Sequence, residues 1–236
     1  MRARGPGRRS LEGLVWLARV GASSGETWGR AMGWKGSTAR SHLLRLEQAD
    51  LVARVARLSG QGGALIYPTG LGVHVSGVEA TALRRPPAPY TWAHHEACAV
   101  MAAYLSLRGR EMVGPRELLV NECWVGDLEW EEHGETRRRR HRPDFIASGA
   151  DERRIAVEVE LTPKSPARLR SVLRMYQGWL SEGRIDSLLY LAGSPRERRQ
   201  LRTEAPKVGL ERGERFGIQD LADIGQRLQE PEAGRG

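Results

Sequence analysis

Cysteine is almost missing from this chain. Cys98 and Cys123 are the only two, and neither stands in a CxxC or other metal-ligand spacing. That excludes a disulfide framework and a thiolate metal site, and leaves two buried thiols as the expectation. Lysine is nearly as scarce, with three against 34 arginines. So lopsided a choice follows from genomic base composition as readily as from function. It singles out Lys164, four positions after Glu160, where a compact point charge stands in a chain that otherwise uses arginine. Long apolar runs are also lacking: no window approaches the ~18 apolar residues of a membrane span. The basic start, residues 1 to 9, is followed by alternating apolar and polar residues, not by the apolar core of a signal peptide. A cytoplasmic location with no membrane partner is therefore expected.

What is present is a globular balance. The 236 residues are 40% hydrophobic and 28% charged, enough for one large domain or two small ones. The net charge is +8 and the pI about 10.1, which favours a polyanionic partner, nucleic acid being the commonest. Residues 1 to 9 read as a basic arm. From Ser10, a candidate N-cap, Leu11, Leu14, Val15, Leu17 and Ala18 recur at helical spacing up to Gly21. Ser24 caps a second short helix ending at Gly33. A third helix runs from about Gly36 to Ala49, with Ala39, Leu43, Leu46 and Ala49 inward. Ser37, Ser41, Arg45 and Gln48 lie on its opposite face, with Arg40 and Leu44 at the flank.

A strand from Leu51, a Gly-rich turn and a second strand, Ala64 to Tyr67, complete a hairpin. Three short helices and a Gly-tipped hairpin make a winged helix-turn-helix over residues 10 to 78, and STARSHLLRLEQADLVARV resembles the recognition helix and wing entry of MarR-like regulators. On that reading the third helix enters the major groove of double-stranded DNA. Ser37, Arg40, Ser41 and Arg45 meet bases or phosphates, and Arg54, Arg57 and Gln61 on the wing meet backbone or minor groove. The alternative is a winged helix used for protein contacts alone.

Residues 79 to 90 carry three prolines in four positions and read as a linker to a second domain, residues 91 to 230. A helix capped by Thr91 runs to about Leu107. Its His94, His95 and Glu96 are adjacent and so fan apart, which suits packing or capping better than metal binding. Residues 111 to 125 hold a strand or short helix. The run Arg137-Arg-Arg-Arg-His-Arg142 is either a solvated basic loop or a phosphate-gripping one, with Arg138 and Arg140 as DNA contacts. Further on come a helix from about Pro166 to Ser181, with Leu169, Val172, Leu173, Tyr176 and Leu180 inward, and a buried strand from Ile185. A helix from Pro195 to Ala205, a short strand at Lys207 to Leu210, and a last helix from Ile218 to Leu228 complete an α/β arrangement, α+β over the whole chain, with a mixed sheet flanked by helices.

The chemistry concentrates in residues 141 to 164. Phe145-Ile-Ala and Ile155 to Leu161 read as two strands joined by a polar turn. Glu158 and Glu160, two apart, share one face, and Val157, Val159 and Leu161 the other. Asp144 opens the first strand and a short hairpin brings it near both glutamates. Three carboxylates at one strand end repel, so they call for a shared divalent cation or a shifted pKa.

Asp on the first hairpin strand and Glu-x-Glu on the second, between helices, resemble the PD-(D/E)XK nuclease core. More narrowly, HRPDF, IAVEVELTPKSPARL and Tyr176 resemble the plasmid replication-relaxation family of mobile elements, which joins a winged helix to such a domain. The resemblance spans most of the chain and is most specific at EVELTPKS. It implies a DNA endonuclease or nicking activity with Asp144, Glu158 and Glu160 holding Mg2+ or Mn2+, and replication or transfer proteins among its partners. Glu160 stands where the motif has lysine, and Lys164 is the candidate to replace it as catalytic cation. Two other readings stay open: a non-catalytic DNA-binding regulator that uses the fold as a platform, and an adaptor whose second domain binds a protein. The sequence leaves monomer and homodimer open.

Overall fold

The computed structural model describes residues 6 to 55, 64 to 79, 86 to 149 and 151 to 229. The expected wing contacts Arg57 and Gln61 lie outside the described residues, as do residues 80 to 85 of the Pro-rich segment. The chain divides into two compact units, Met1–Arg108 with Val113–Val120, and Gly109–Met112 with Asn121–Gly236.

The first unit opens with α1 (Arg8–Val20), β1 (Ser23–Ser24), α2 (Gly25–Ala31), α3 (Gly36–Gln48), β2 (Val52–Val55) and β3 (Leu65–Pro68). The three strands form an antiparallel sheet in the order β1-β3-β2. This is the winged-helix order. Helix α1 starts three residues earlier than expected, with Gly7 and not Ser10 at the N-cap, because Ser10 has another partner: its hydroxyl sits 2.8 Å from His42 Nδ1 in the interior. His42 in turn stacks on Trp34 at 4.2 Å. Gly13 is required by close packing, since Trp28 lies across it and donates Nε1 to its carbonyl at 2.9 Å; a Cβ there would fall 2.7 Å from the indole. Ser24 caps α2 as expected, accepting from Thr27 N–H. Ala39, Leu43 and Leu46 of α3 are buried, and Ser37, Arg40, Ser41, Arg45 and Gln48 are exposed, as the periodicity predicts.

The remaining helices of this unit are α4 (Gly70–Ser76), α5 (Trp92–Leu107) and α6 (Pro115–Leu118). The composition break at residues 79 to 90 places α5 with the second domain, yet α5 belongs to the first unit. The reason is one carboxylate. Glu96 accepts from Ser24 N–H at 2.7 Å, Ser24 Oγ at 2.8 Å and Thr27 Oγ1 at 2.7 Å, so α5 grips the start of α2. Trp16 adds a bond from Nε1 to Ser106 Oγ at 3.1 Å. Thr91 occupies the N-cap of α5 but its hydroxyl turns back to Ala88 O instead of capping.

The second unit holds β4 (Glu111–Val113), β5 (Gly126–Glu132), β6 (Glu135–His141), β7 (Phe145–Ser148), β8 (Arg154–Glu160), α7 (Pro166–Ser181), β9 (Ser187–Ala192), α8 (Pro195–Glu204), β10 (Phe216–Asp220) and α9 (Leu221–Gln229). Five strands form one sheet in the order β10-β9-β8-β7-β4. The β7–β8 pair is antiparallel, while β8–β9 and β9–β10 are parallel, so the sheet is mixed, with flanking helices. The sequence reading of the hairpin and of α7 holds. Elsewhere it needs correction. Residues 137 to 140, read as loop, are strand: β6 pairs with β5 in a separate two-stranded ribbon. Polarity masked that strand, because both its faces meet solvent. The strand expected at Lys207 is a 3-10 turn, Pro206–Val208, and the missing parallel strand is β10, which shortens the final helix to begin at Leu221. Phe216 and Ile218 are buried, and this alternation runs without a break into the apolar spacing of α9. Among the described residues no helix is long and apolar enough to cross a membrane.

Replacing Glu96 by Ala removes three bonds to a carboxylate and takes the acceptor from the Ser24 N–H and the Thr27 hydroxyl. Its expected cost is about 3 kcal/mol, while Glu96→Gln, which keeps a carbonyl acceptor, loses less. Urea unfolding of the two variants against the parent measures both.

Candidate functional site

The site is built on the central hairpin. In the β7–β8 register Phe145 pairs with Val157, which carries Asp144 opposite Glu158 on one face. In the parallel β8–β9 register Glu158 lies beside Tyr190 and Glu160 beside Ala192. Val157 and Val159 are buried on the other face as expected; Leu161, past the strand end, is only half-buried. Glu158 and Glu160 are 4% and 6% exposed, a burial that carboxylates tolerate only with partners.

Each carboxylate has partners of its own. Asp144 Oδ2 accepts from Val159 N–H at 2.7 Å, which ties the head of β7 across to β8. Glu158 Oε1 takes two bonds, one from His141 Nε2 at 2.8 Å and one from the Tyr176 hydroxyl. Both fall on the same oxygen. The Lys164 ammonium pairs with Glu160 Oε2, with side chains 14% and 8% exposed. Gln200 on α8 holds the backbone here by donating to Lys164 O at 2.5 Å.

The electrostatics follow from this arrangement. Burial raises the Glu160 pKa above the ordinary carboxylate value, Lys164 opposes the rise, and repulsion from Glu158 and Asp144 adds to it. Tyr176 and Tyr190 are both pushed well above the usual phenol range, first by burial and then by the nearby Glu158 charge. Asp144, Glu158, Glu160 and Lys164 are thus neighbours, but the three carboxylates do not converge. Among the described residues they do not bring one oxygen each to within 4.8 Å of one another. The expected three-carboxylate ligand set is therefore reduced to Asp144 and Glu158, because Lys164 has taken Glu160. Two carboxylates with hard oxygen donors still fit a Mg2+-like ion, which commonly keeps much of its water and takes one or two carboxylates.

The basic strand is less positive than its sequence implies. Arg138 pairs across the ribbon with Glu129 at 2.8 Å, Arg137 pairs along its own strand with Glu135 at 2.6 Å, and Arg140 and Arg142 both pair with Glu122, which precedes the ribbon. These pairs are largely exposed and so contribute little to stability. In the first unit Arg54 is committed to Glu47, while Ser41 Oγ bonds back to Ser37 O at 3.0 Å. His94 Nε2 meets Cys98 Sγ at 3.5 Å one turn along α5.

Two site residues escaped the sequence reading. His141 was hidden at the end of an arginine run, although it precedes Asp144 by three residues. Tyr190 was hidden in an apolar strand, SLLYLA, where its hydroxyl is the one polar side-chain tip after Ser187. Tyr176 was read as core, and its hydroxyl is the part that matters.

No family model matches the chain, and no curated protein matches it. One solved structure is similar, protein VC1899 from Vibrio cholerae, at 10% identity and a TM-score of 0.35. The match covers 93% of this chain and 49% of that one, so the chain spans about half the length of VC1899. A likeness at that level carries no argument about activity.

The Glu160–Lys164 pair predicts a pH-dependent stability. With a raised folded pKa, Glu160 releases its proton at a higher pH in the native state than in the unfolded chain, so its contribution is full at acid pH and falls as pH rises through the raised value. Lys164→Met raises that pKa further and leaves a buried carboxylate unpaired. The expected loss is about 3 kcal/mol at pH 8 and clearly less at pH 4.5, read from urea midpoints at the two pH values.

Proposed function

We propose that the chain is a DNA-binding protein whose second unit is a divalent-cation-dependent endonuclease or nicking domain of the PD-(D/E)XK kind, acting on double-stranded DNA in the cytoplasm. The observation that carries this reading is the pairing of Asp144 with Glu158 across one hairpin, with a lysine ammonium at the neighbouring Glu160. Hydrolysis of a phosphodiester needs an activated water and stabilisation of charge at phosphorus, and bound Mg2+ or Mn2+ would supply both. Asp144 and Glu158 would hold the ion. His141 and Tyr176 fix Oε1 of Glu158 and leave Oε2 as the oxygen to offer. Lys164 stands in for the motif lysine from outside the strand, and would exchange Glu160 for a phosphate oxygen as substrate arrives.

The first unit would deliver the DNA. The exposed face of α3, with Ser37, Arg40, Ser41 and Arg45, suits a major groove, and Arg54 of β2 suits the backbone. Arg138 and Arg140 join by trading Glu129 and Glu122 for phosphate, an inexpensive exchange for exposed pairs. The resemblance to replication-relaxation proteins adds a setting, the replication or transfer of a mobile element, with its proteins as partners.

One observation favours a second reading, a non-catalytic DNA-binding regulator: the lysine is already neutralised by Glu160 and the carboxylates do not close on one point. Supercoiled plasmid incubated with Mg2+ or Mn2+ separates the two. Relaxation or linearisation by the parent, and at least a hundredfold less by Asp144→Ala and Glu158→Ala, is the expected result. Equal cleavage by all three, or none by the parent with either metal, removes the nuclease reading. Independently, Arg40→Ala is expected to weaken DNA binding and to reduce the slope of log K against log salt by about one if it contacts a phosphate, measured by fluorescence anisotropy.

A further inference from the structure

We propose that Tyr190 contacts the ligand of the carboxylate site, its hydroxyl hydrogen-bonding a water of a hydrated divalent cation held by Asp144 and Glu158. The inference rests on the reading of that face as a cation site and adds to it a residue that neither the motif nor the resemblance supplies.

Tyr190 is fully buried, and its hydroxyl has no hydrogen-bond partner among the described residues. A buried hydroxyl without a partner is destabilising, and such groups are rare in native proteins. Packing alone does not explain it. The ring meets Phe216 edge-on at 6.3 Å, a contact that phenylalanine would make equally well. The register sets Tyr190 beside Glu158 on the same face of the sheet, so the oxygen shares the carboxylate face.

Two of the carboxylate oxygens on this face are committed. Oε1 of Glu158 takes His141 and Tyr176, and Oε2 of Glu160 takes Lys164. An anion is a poor candidate for the missing partner, because three carboxylates face the same space. A small hard cation that retains its water is a good one: the charge suits Asp144 and Glu158, and the water gives the phenol a partner. A hydroxyl serves here better than a charged group, since it accepts from a polarised water and can donate in turn. Burial and the nearby carboxylates keep the phenol protonated, so that both capacities are retained.

The test is Mn2+ binding to the full chain, by calorimetry and by the electron paramagnetic resonance of free against bound Mn2+. Tyr190→Phe keeps the ring and its contact with Phe216. The expected result is a roughly tenfold weaker Mn2+ affinity, together with a metal-free melting temperature equal to or above that of the parent, since the orphan hydroxyl is gone. Loss of affinity with an unimpaired fold distinguishes a ligand contact from a packing role. Parent-like Mn2+ affinity in Tyr190→Phe overturns the assignment of Tyr190 and leaves the carboxylate site standing. Failure of the parent itself to bind Mn2+ overturns the cation site, and the tyrosine assignment with it.

Discussion

A carboxylate buried in the middle of a sheet governs the second unit. Glu158 sits on β8 with two strands on either side, 4% exposed, where an isolated charge is prohibitively costly. Its solvation has to come from the protein. The end of β6 supplies His141 and the middle of α7 supplies Tyr176, and both bonds land on Oε1. Helix α7 is held against β5 by a second polar contact, Glu129 N–H to Ser171 Oγ at 3.1 Å. Gly126 allows the two to approach, since a Cβ there would fall 2.1 Å from Met175 Sδ. The two-stranded ribbon, peripheral as a sheet, therefore serves the centre: it pins the residue that solvates Glu158.

The same requirement separates the two glutamates. Glu160, one pleat further on, has no aromatic donor and takes a full countercharge from Lys164 instead. Glu158 is held by two hydrogen-bond donors, His141 and Tyr176, while Glu160 is held by the lysine ammonium. Asp144 is anchored through Oδ2 to the backbone of β8. Three neighbouring carboxylates thus each have a different partner, and this explains why they lie near one another without converging.

The sequence made the hairpin legible because its alternation is strict and both glutamates fall on one parity. It made α3 and α7 legible because each carries an unbroken apolar stripe. It concealed β6, since a strand with both faces in solvent has no hydrophobic period to detect. It concealed β10 because Phe216 and Ile218 precede Leu221 and Ile224 at spacings that merge strand into helix. The boundary between units was misread for a different reason. Prolines mark where a chain turns, but Glu96 decides which unit α5 joins, and a single hydrogen-bonded carboxylate leaves no trace in composition. At the site, residue types were readable and partnerships were not: His141 and Tyr190 become informative only once the register places them beside Glu158.

Charge accounting constrains the function more than net charge does. The chain is strongly basic, yet Arg137, Arg138, Arg140 and Arg142, close in sequence to the carboxylates, are paired with Glu135, Glu129 and Glu122, so that ribbon is less positive than its arginine run implies. On the proposed reading the exposed arginines of α3, which have no such acids against them among the described residues, would hold the DNA better than the carboxylate face. An acidic face is a poor surface for a polyanion unless something positive intervenes. Lys164 is spent on Glu160, and His141 is turned toward Glu158. On the proposed reading the intervening charge is the cation itself, and binding it is what would convert a face that repels phosphate into one that accepts it.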